Sequence, residues 1–109
     1  MQLPDDAAGR HFGAFVGGAL VVVISLFVGT GGVARFRKFA TDPAWQGRGL
    51  GTSLLRHVLA AARAQGARTL WCDARQHALP FYQRFGLVAE GAVFYKGDVP
   101  YLRLSCSLN

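Results

Sequence analysis

The chain has 109 residues, 51% of them hydrophobic, and a formal charge of +6 at pH 7. That length fits one domain able to bury a core, and the apolar share excludes a disordered tail. Only Lys38 and Lys96 are lysines, so ten of the twelve basic residues are arginines. The surplus suits a polyanionic partner such as nucleic acid, anionic lipid or a phosphate-rich cofactor, but no basic run marks a nucleic-acid tail.

Residues 1–10 read as a polar lead-in. Residues 12–34 carry no charge and are long enough to raise a membrane span. Three features argue against one. Gly13, Gly17, Gly18, Gly29, Gly31 and Gly32 interrupt the stretch, Val21-Val22-Val23-Ile24 favours a strand, and Asp5 and Asp6 stand where a signal peptide would start basic. A Gly17-Gly18 turn joining strands over 11–16 and 19–28 explains the segment. After a loop at 29–32, residues 33–41 alternate as a strand. Val33, Arg35, Arg37 and Phe39 fall on one face, against Ala34, Phe36, Lys38 and Ala40 on the other.

Asp42-Pro43 stops that strand, and residues 44–51 form a glycine-bearing loop that runs into a helix. From Leu50 on, Leu54, Leu55, Val58, Leu59 and Ala62 give one buried stripe, with Arg56, His57 and Arg63 off it and Gly66 as the helix stop. A short strand over 69–72 completes a βαβ unit with parallel strands. A second helix spans 77–85, with Pro80 in its first turn and Gly86 at its end. Strands over 87–95 and 101–106 follow, joined across 96–100. The class is α/β, a single domain over 1–109 with a mixed sheet and few helices. Cys72 and Cys106 belong to no metal-binding array, so no metal is expected, and they read as reduced thiols of a cytoplasmic protein.

The strongest local signal is Gln46-Gly47-Arg48-Gly49-Leu50-Gly51-Thr52, between a strand and a helix. Glycines let the backbone turn tightly and a ligand approach closely, and the helix start presents unpaired N–H groups and a positive dipole end. The segment is thus an anion site, to which Arg48 can add a charge. No Lys-Ser/Thr follows, so it is not a P-loop. Thr52 takes the third glycine of a dinucleotide fingerprint, although Asp73 lies at a suitable distance for a ribose-binding acid.

The spacing Gln46-x-x-Gly49-x-Gly51 resembles the Q/R-x-x-G-x-G/A signature of the GNAT superfamily of acyl-CoA-dependent N-acetyltransferases. Phe39-Ala40-Thr41-Asp42-Pro43 before it and Leu54, Leu55 and Val58 after it resemble the family's flanking strand and helix. One strand further on, Ala78-x-x-Phe81-Tyr82-Gln83-Arg84-Phe85-Gly86-Leu87 is similar to the family's A-x-x-F-Y-x-x-x-G-F segment. Two motifs in the right order are far more specific than either alone, and the resemblance runs from about His11 to the C-terminus.

It implies a GNAT-like mixed, mostly antiparallel sheet with a central βαβ unit and two helices. It also implies transfer of an acetyl group from acetyl-CoA to a primary amine. Gln46 to Thr52 are then expected at the pyrophosphate, the backbone of Phe39, Ala40 and Thr41 at pantetheine, and Phe81 and Arg84 at the cofactor. Tyr82 takes the place of the family's usual general acid, against the simpler reading of a core aromatic beside Phe81 and Phe85. Arg75 stands where the family often has asparagine, and Leu87 where it has phenylalanine.

No general base is legible. Asp73 is a candidate and His77 a weaker one, each with an ordinary surface or capping role as the alternative. Residues 94–101 resemble a tail of small bacterial members, with Tyr101 in place of a histidine. Asp98 there is either an attractor of ammonium or a turn residue after Gly97. The family's usual N-terminal strand and helices have no counterpart in the ten residues before the hairpin, so the acceptor side is expected to be thin and a homodimer to cover the hairpin. Two other functional classes stay open: an acyl-CoA-binding module without turnover, and a basic nucleic-acid-binding protein.

Overall fold

The computed structural model describes residues 9–108. Most of the polar lead-in lies outside the described residues, and Gly9 and Arg10 already belong to the first strand. Strands β1 (Gly9–Val16) and β2 (Ala19–Val28) form the expected antiparallel hairpin. Gly17 (φ 57°) and Gly18 (φ 84°) both sit in the left-handed region that a two-residue turn between twisted strands requires. The uncharged stretch is therefore a hairpin and a turn. Among the described residues no helix is long and apolar enough to cross a membrane. Between the two strands, His11 Nδ1 lies 2.7 Å from Ser25 Oγ, which satisfies a buried hydroxyl.

Strand β3 (Val33–Thr41), helix α1 (Leu50–Ala64) and strand β4 (Thr69–Arg75) make the βαβ unit, with β3 and β4 parallel. The stripe Leu54, Leu55, Val58, Leu59 and Ala62 is buried, as its spacing requires. Gly66 (φ 85°) ends α1 in a Schellman arrangement: its N–H donates to Arg63 O at 3.0 Å, and the Ala67 N–H donates to Ala62 O at 3.0 Å. Strand β4 runs three residues beyond the expected 69–72, because Asp73, Ala74 and Arg75 pair with Arg103, Leu102 and Tyr101 of β6 (Val99–Ser107). The polar Asp73 and Arg75 hide, in the sequence, that Ala74 continues the buried row of Leu70 and Cys72.

The second helix, α2 (Leu79–Gln83), is shorter than the 77–85 expected and follows a 3-10 turn at Gln76–Ala78. Strand β5 (Val88–Lys96) meets β6 through Gly97-Asp98 alone, not across five residues. Gly97 takes φ 62°, and Pro100 sits near the strand start opposite Tyr95, where a proline is tolerated. Among the described residues six strands form one sheet in the order β1-β2-β3-β4-β6-β5, every neighbouring pair but β3–β4 being antiparallel. The core lies between one sheet face and α1. Ile24, Leu26, Leu55, Leu70 and Leu104 are almost wholly buried there, each contributing roughly 1.5–3 kcal/mol.

The alternation expected along β3 holds only to Arg37. Ser25 faces Arg37 and Val23 faces Ala40, so two residues of β3, Lys38 and Phe39, stand against Ile24 alone. The bulge rests on Lys38, whose φ of 57° makes it the one non-glycine residue in the left-handed region among the described residues. Past the bulge the faces exchange. Phe39 joins Phe36 on the helix side (ring centroids 6.1 Å apart), instead of sharing a face with Arg35 and Arg37.

A left-handed conformation costs an ordinary residue about 1–2 kcal/mol and more when the side chain is β-branched. Lys38→Val is expected to lower the free energy of unfolding in urea by about 1–2 kcal/mol, with Lys38→Gly close to neutral. Equal midpoints for the valine variant and the parent protein would show that Lys38 is not held left-handed.

Candidate active site

Strands β3 and β4 pair over only three residues each, Val33↔Thr69, Ala34↔Leu70 and Arg35↔Trp71. Beyond that point β3 stays with β2 and β4 stays with β6, so the two parallel strands part. A cleft of about 1000 Å³ opens at the parting. One edge of β3, from Phe36 to Thr41, faces it without a neighbouring strand, and backbone groups there are open to an extended ligand arm.

The glycine turn closes one end of the cleft. Asp42 ends β3 by accepting the Ala44 N–H at 2.9 Å, which starts the 3-10 turn Pro43–Trp45. Gln46 Nε2 then donates to Thr41 O at 3.4 Å. Gly49 caps α1 at φ 78°, and no side chain closes that cap. The first backbone bond of the helix runs from the Ser53 N–H to Gly49 O at 3.0 Å, so the N–H groups of Leu50, Gly51 and Thr52 precede the ladder. No acidic residue occupies the first turn, which leaves the positive dipole end uncompensated.

The three glycines serve different ends. A Cβ at Gly47 or Gly49 would meet nothing within 4 Å, so those positions need glycine for their positive φ. A Cβ at Gly51 would make ordinary contacts, 3.4 Å from the Phe39 ring and 3.5 Å from Thr41 Oγ1, so a methyl group fits there and only a larger side chain would press on β3.

Tyr82 borders the cleft from α2. A second Schellman arrangement fixes it: the Gly86 N–H donates to Gln83 O at 3.0 Å and the Leu87 N–H to Tyr82 O at 3.3 Å. Phe36, Phe39 and Phe81 surround its ring at centroid distances of 6.0, 6.4 and 5.1 Å. Burial first, and then neighbouring Cys72, push the phenol above its usual 10.0, so the hydroxyl keeps its proton at neutral pH. Among the described residues no protein group accepts a hydrogen bond from it. Cys72 is buried and its thiol is pushed up to about 12, chiefly by burial and then by Asp73, which makes it inert.

Phe39, Ala40, Thr41, Gln46, Gly47, Gly49, Leu50, Gly51, Thr52, Phe81, Tyr82 and Arg84 all line this one cleft. Arg84 Nη2 donates to Thr52 Oγ1 at 3.4 Å, tying α2 to the glycine turn. Arg48 is not among the lining residues; its guanidinium lies over the Trp45 ring, 4.7 Å from the centroid. Trp45 itself lines the cleft and carries no signal in the sequence beyond its place after Pro43.

Asp73 reaches the cleft but is engaged. Arg103 grips both its oxygens, at 3.0 and 3.3 Å, and Arg35 lies 4.0 Å away. Both carboxylate oxygens are thereby occupied by a side chain of the protein itself. His77 lines the cleft from the 3-10 turn and is exposed, whereas Asp98 sits at the β5–β6 turn, outside the lining. Among the described residues no group of three His, Cys, Asp or Glu could hold a metal.

The sequence model of the Acetyltransferase (GNAT) family matches residues 2–87. The chain is 27% identical over 103 residues to the uncharacterized N-acetyltransferase YitI of Bacillus subtilis, covering 88% of this chain and 67% of that protein. It is 30% identical over 79 residues to the glucosamine 6-phosphate N-acetyltransferase of Trypanosoma brucei brucei, covering 72% of this chain and 54% of that protein. The fold is similar to that of a Bacillus subtilis acetyltransferase solved in complex with CoA. That TM-score is 0.78 at 19% identity, over 93% of this chain and 78% of the other. The chain thus spans roughly half to two thirds of the length of these curated relatives.

Gly49→Ala is expected to cost about 1–2 kcal/mol of stability through its positive φ alone. Gly51→Val is expected to part α1 from Phe39 and to weaken CoA binding more than tenfold. Urea unfolding checks the first and calorimetric titration with CoA the second, in which undiminished affinity would show that the site tolerates a larger side chain at position 51.

Proposed function

The chain belongs to the Acetyltransferase (GNAT) family, and on that footing we propose that it transfers an acetyl group from acetyl-CoA to a primary amine by direct attack in a ternary complex. The observation that carries this reading is the joining, in one cleft, of an open helix N-terminus, an unpaired strand edge and a protonated tyrosine. A phosphate-rich cofactor fits that donor set, and a fold neighbour from Bacillus subtilis carries CoA. When bound, acetyl-CoA supplies the acetyl group as a thioester.

In this reading the backbone N–H groups of the turn from Gln46 to Thr52 hold the pyrophosphate, with Arg84 beside Thr52 and Arg48 at the outer rim. The β3 edge at Phe39, Ala40 and Thr41 aligns the pantetheine amides as a neighbouring strand would. Phe81 and Phe39, with ring centroids 6.2 Å apart, keep water from the inner end. Tyr82 holds its proton at Oη, where it stabilises charge growing on sulfur. Its raised pKa makes it a hydrogen-bond donor first and a source of a fully transferred proton second. With Asp73 committed to Arg103, the attacking amine loses its proton to water or to the exposed His77.

That same commitment of Asp73 favours a second reading, an acyl-CoA-binding module without turnover. Titration with acetyl-CoA followed by a panel of amines separates the two. Saturable binding near one site per chain with thiol release supports the enzyme; binding alone supports the module; a folded protein that binds no acetyl-CoA removes both. Tyr82→Phe is expected to lower kcat roughly 10²-fold with the acetyl-CoA affinity little changed. Unchanged turnover in that variant takes the tyrosine out of the chemistry.

A further inference from the structure

The cationic side chains around the cleft divide between its two faces. Leu70, Cys72 and Ala74 of β4 and Ala34 and Phe36 of β3 point into the core beneath the helices. Alternation therefore puts Arg35, Arg37, Asp73 and Arg75 on the opposite face of the sheet. Arg84 lies on the helix side, tied to Thr52 of the glycine turn.

On the opposite face Arg35 and Arg103 flank the Trp71 ring, at 4.3 and 4.1 Å from its centroid, and both approach Asp73. Asp73 offsets one of the two positive charges of that group from within. Arg75, Arg37 and Lys96 remain. Arg75 is paired in register with Tyr101, the Lys96 ammonium stands 4.5 Å above the Tyr101 ring, and Arg37 borders the parting from the other strand. All three line the cleft, in which Asp73 is the sole acidic lining residue among the described residues.

A protein meant to receive a bare alkylammonium would set carboxylates there, because like charge repels the incoming cation. The geometry points to an acceptor that carries its own negative charge: a primary amine bearing a phosphate or carboxylate group, held by Arg37, Arg75 and Lys96 on the sheet face away from the glycine turn. This rests on the acetyl-transfer reading for the amine, while the anion site itself stands on the placement of the three cations. Arginine forks match both anions, phosphate offering more acceptor oxygens. Tyr101, between Arg75 and Lys96, adds a hydroxyl donor and a flat wall.

Three small amines with the same spacer test it: 2-aminoethyl phosphate, β-alanine and ethanolamine, titrated calorimetrically into the protein with and without saturating CoA. Binding of one or both anionic amines at least tenfold tighter than ethanolamine is expected, and the two anionic arms tell phosphate from carboxylate. Arg75→Gln and Arg37→Gln should each cost at least tenfold in that binding and change the CoA affinity less than twofold. Ethanolamine binding as well as the anionic amines, or anion binding that survives both substitutions, overturns the proposal. Failure of CoA itself to bind strikes the acetyl-transfer reading instead, since the titrations without CoA still report on the anion site.

Discussion

Two parallel strands that hold together for three residues and then separate set the terms for the rest of the molecule. The separation is stable because each strand keeps a partner on its far side, β2 for β3 and β6 for β4. Buried backbone groups demand hydrogen bonds, so the inner edges can stay open only where solvent or a ligand reaches them. Burial follows the same line. Below the parting the sheet carries Leu70 and Ala34 at 0% exposure, and at the parting it gives way to the mixed aromatic and basic lining of the cleft.

The bulge at Lys38 and the cap at Gly49 serve this opening from one side. The bulge turns Phe39 and Thr41 toward α1, where they lie beside Gly51 at the helix start. Helix α2 serves it from the other side. It is too short to be stable alone, and its position is held by a Schellman stop at Gly86 and by the aromatic packing of Phe81 and Tyr82. Aromatic edge-to-face contacts are worth roughly 0.5–1.5 kcal/mol each beyond burial, so the cluster adds stiffness as well as apolar area. The result is a cleft with a hydrogen-bonding end, an apolar middle and a cationic far face.

The parts of this arrangement legible from the residues are those with local causes. A glycine pair between β-branched runs gives the first hairpin, a 3.6-residue stripe gives α1, and a glycine-rich turn before a helix gives the open helix start. The rest depended on partners far along the chain. Asp73 reads as a free acid until Arg103, from a strand 30 positions on, is seen to hold both its oxygens. The end of β4 and the brevity of the β5–β6 turn were hidden by Asp73, Arg75 and Pro100, residues that usually mark strand ends yet are paired here. The bulge was not legible either, because plain alternation sets Phe36 and Phe39 on opposite faces. In the fold they share a face although three apart, which one inserted residue explains.

The strand order has a consequence for how the chain assembles as it is made. Strand β6 lies inside the sheet, between β4 and β5, yet it leaves the ribosome after both. Until it emerges, β4 has only three residues of β3 to pair with and β5 has no strand beside it. A nascent chain ending at Lys96 therefore holds a hairpin, a helix and an unfinished sheet, and β5 joins that sheet only as a hairpin with β6 whose free edge must then dock on β4. Such late, non-local closure is slow compared with hairpin or helix formation, and it exposes strand edges meanwhile. Vectorial synthesis thus makes β6 the keystone of folding: until Leu102 and Leu104 pack into the core, the edge of β4 that β6 covers stays open.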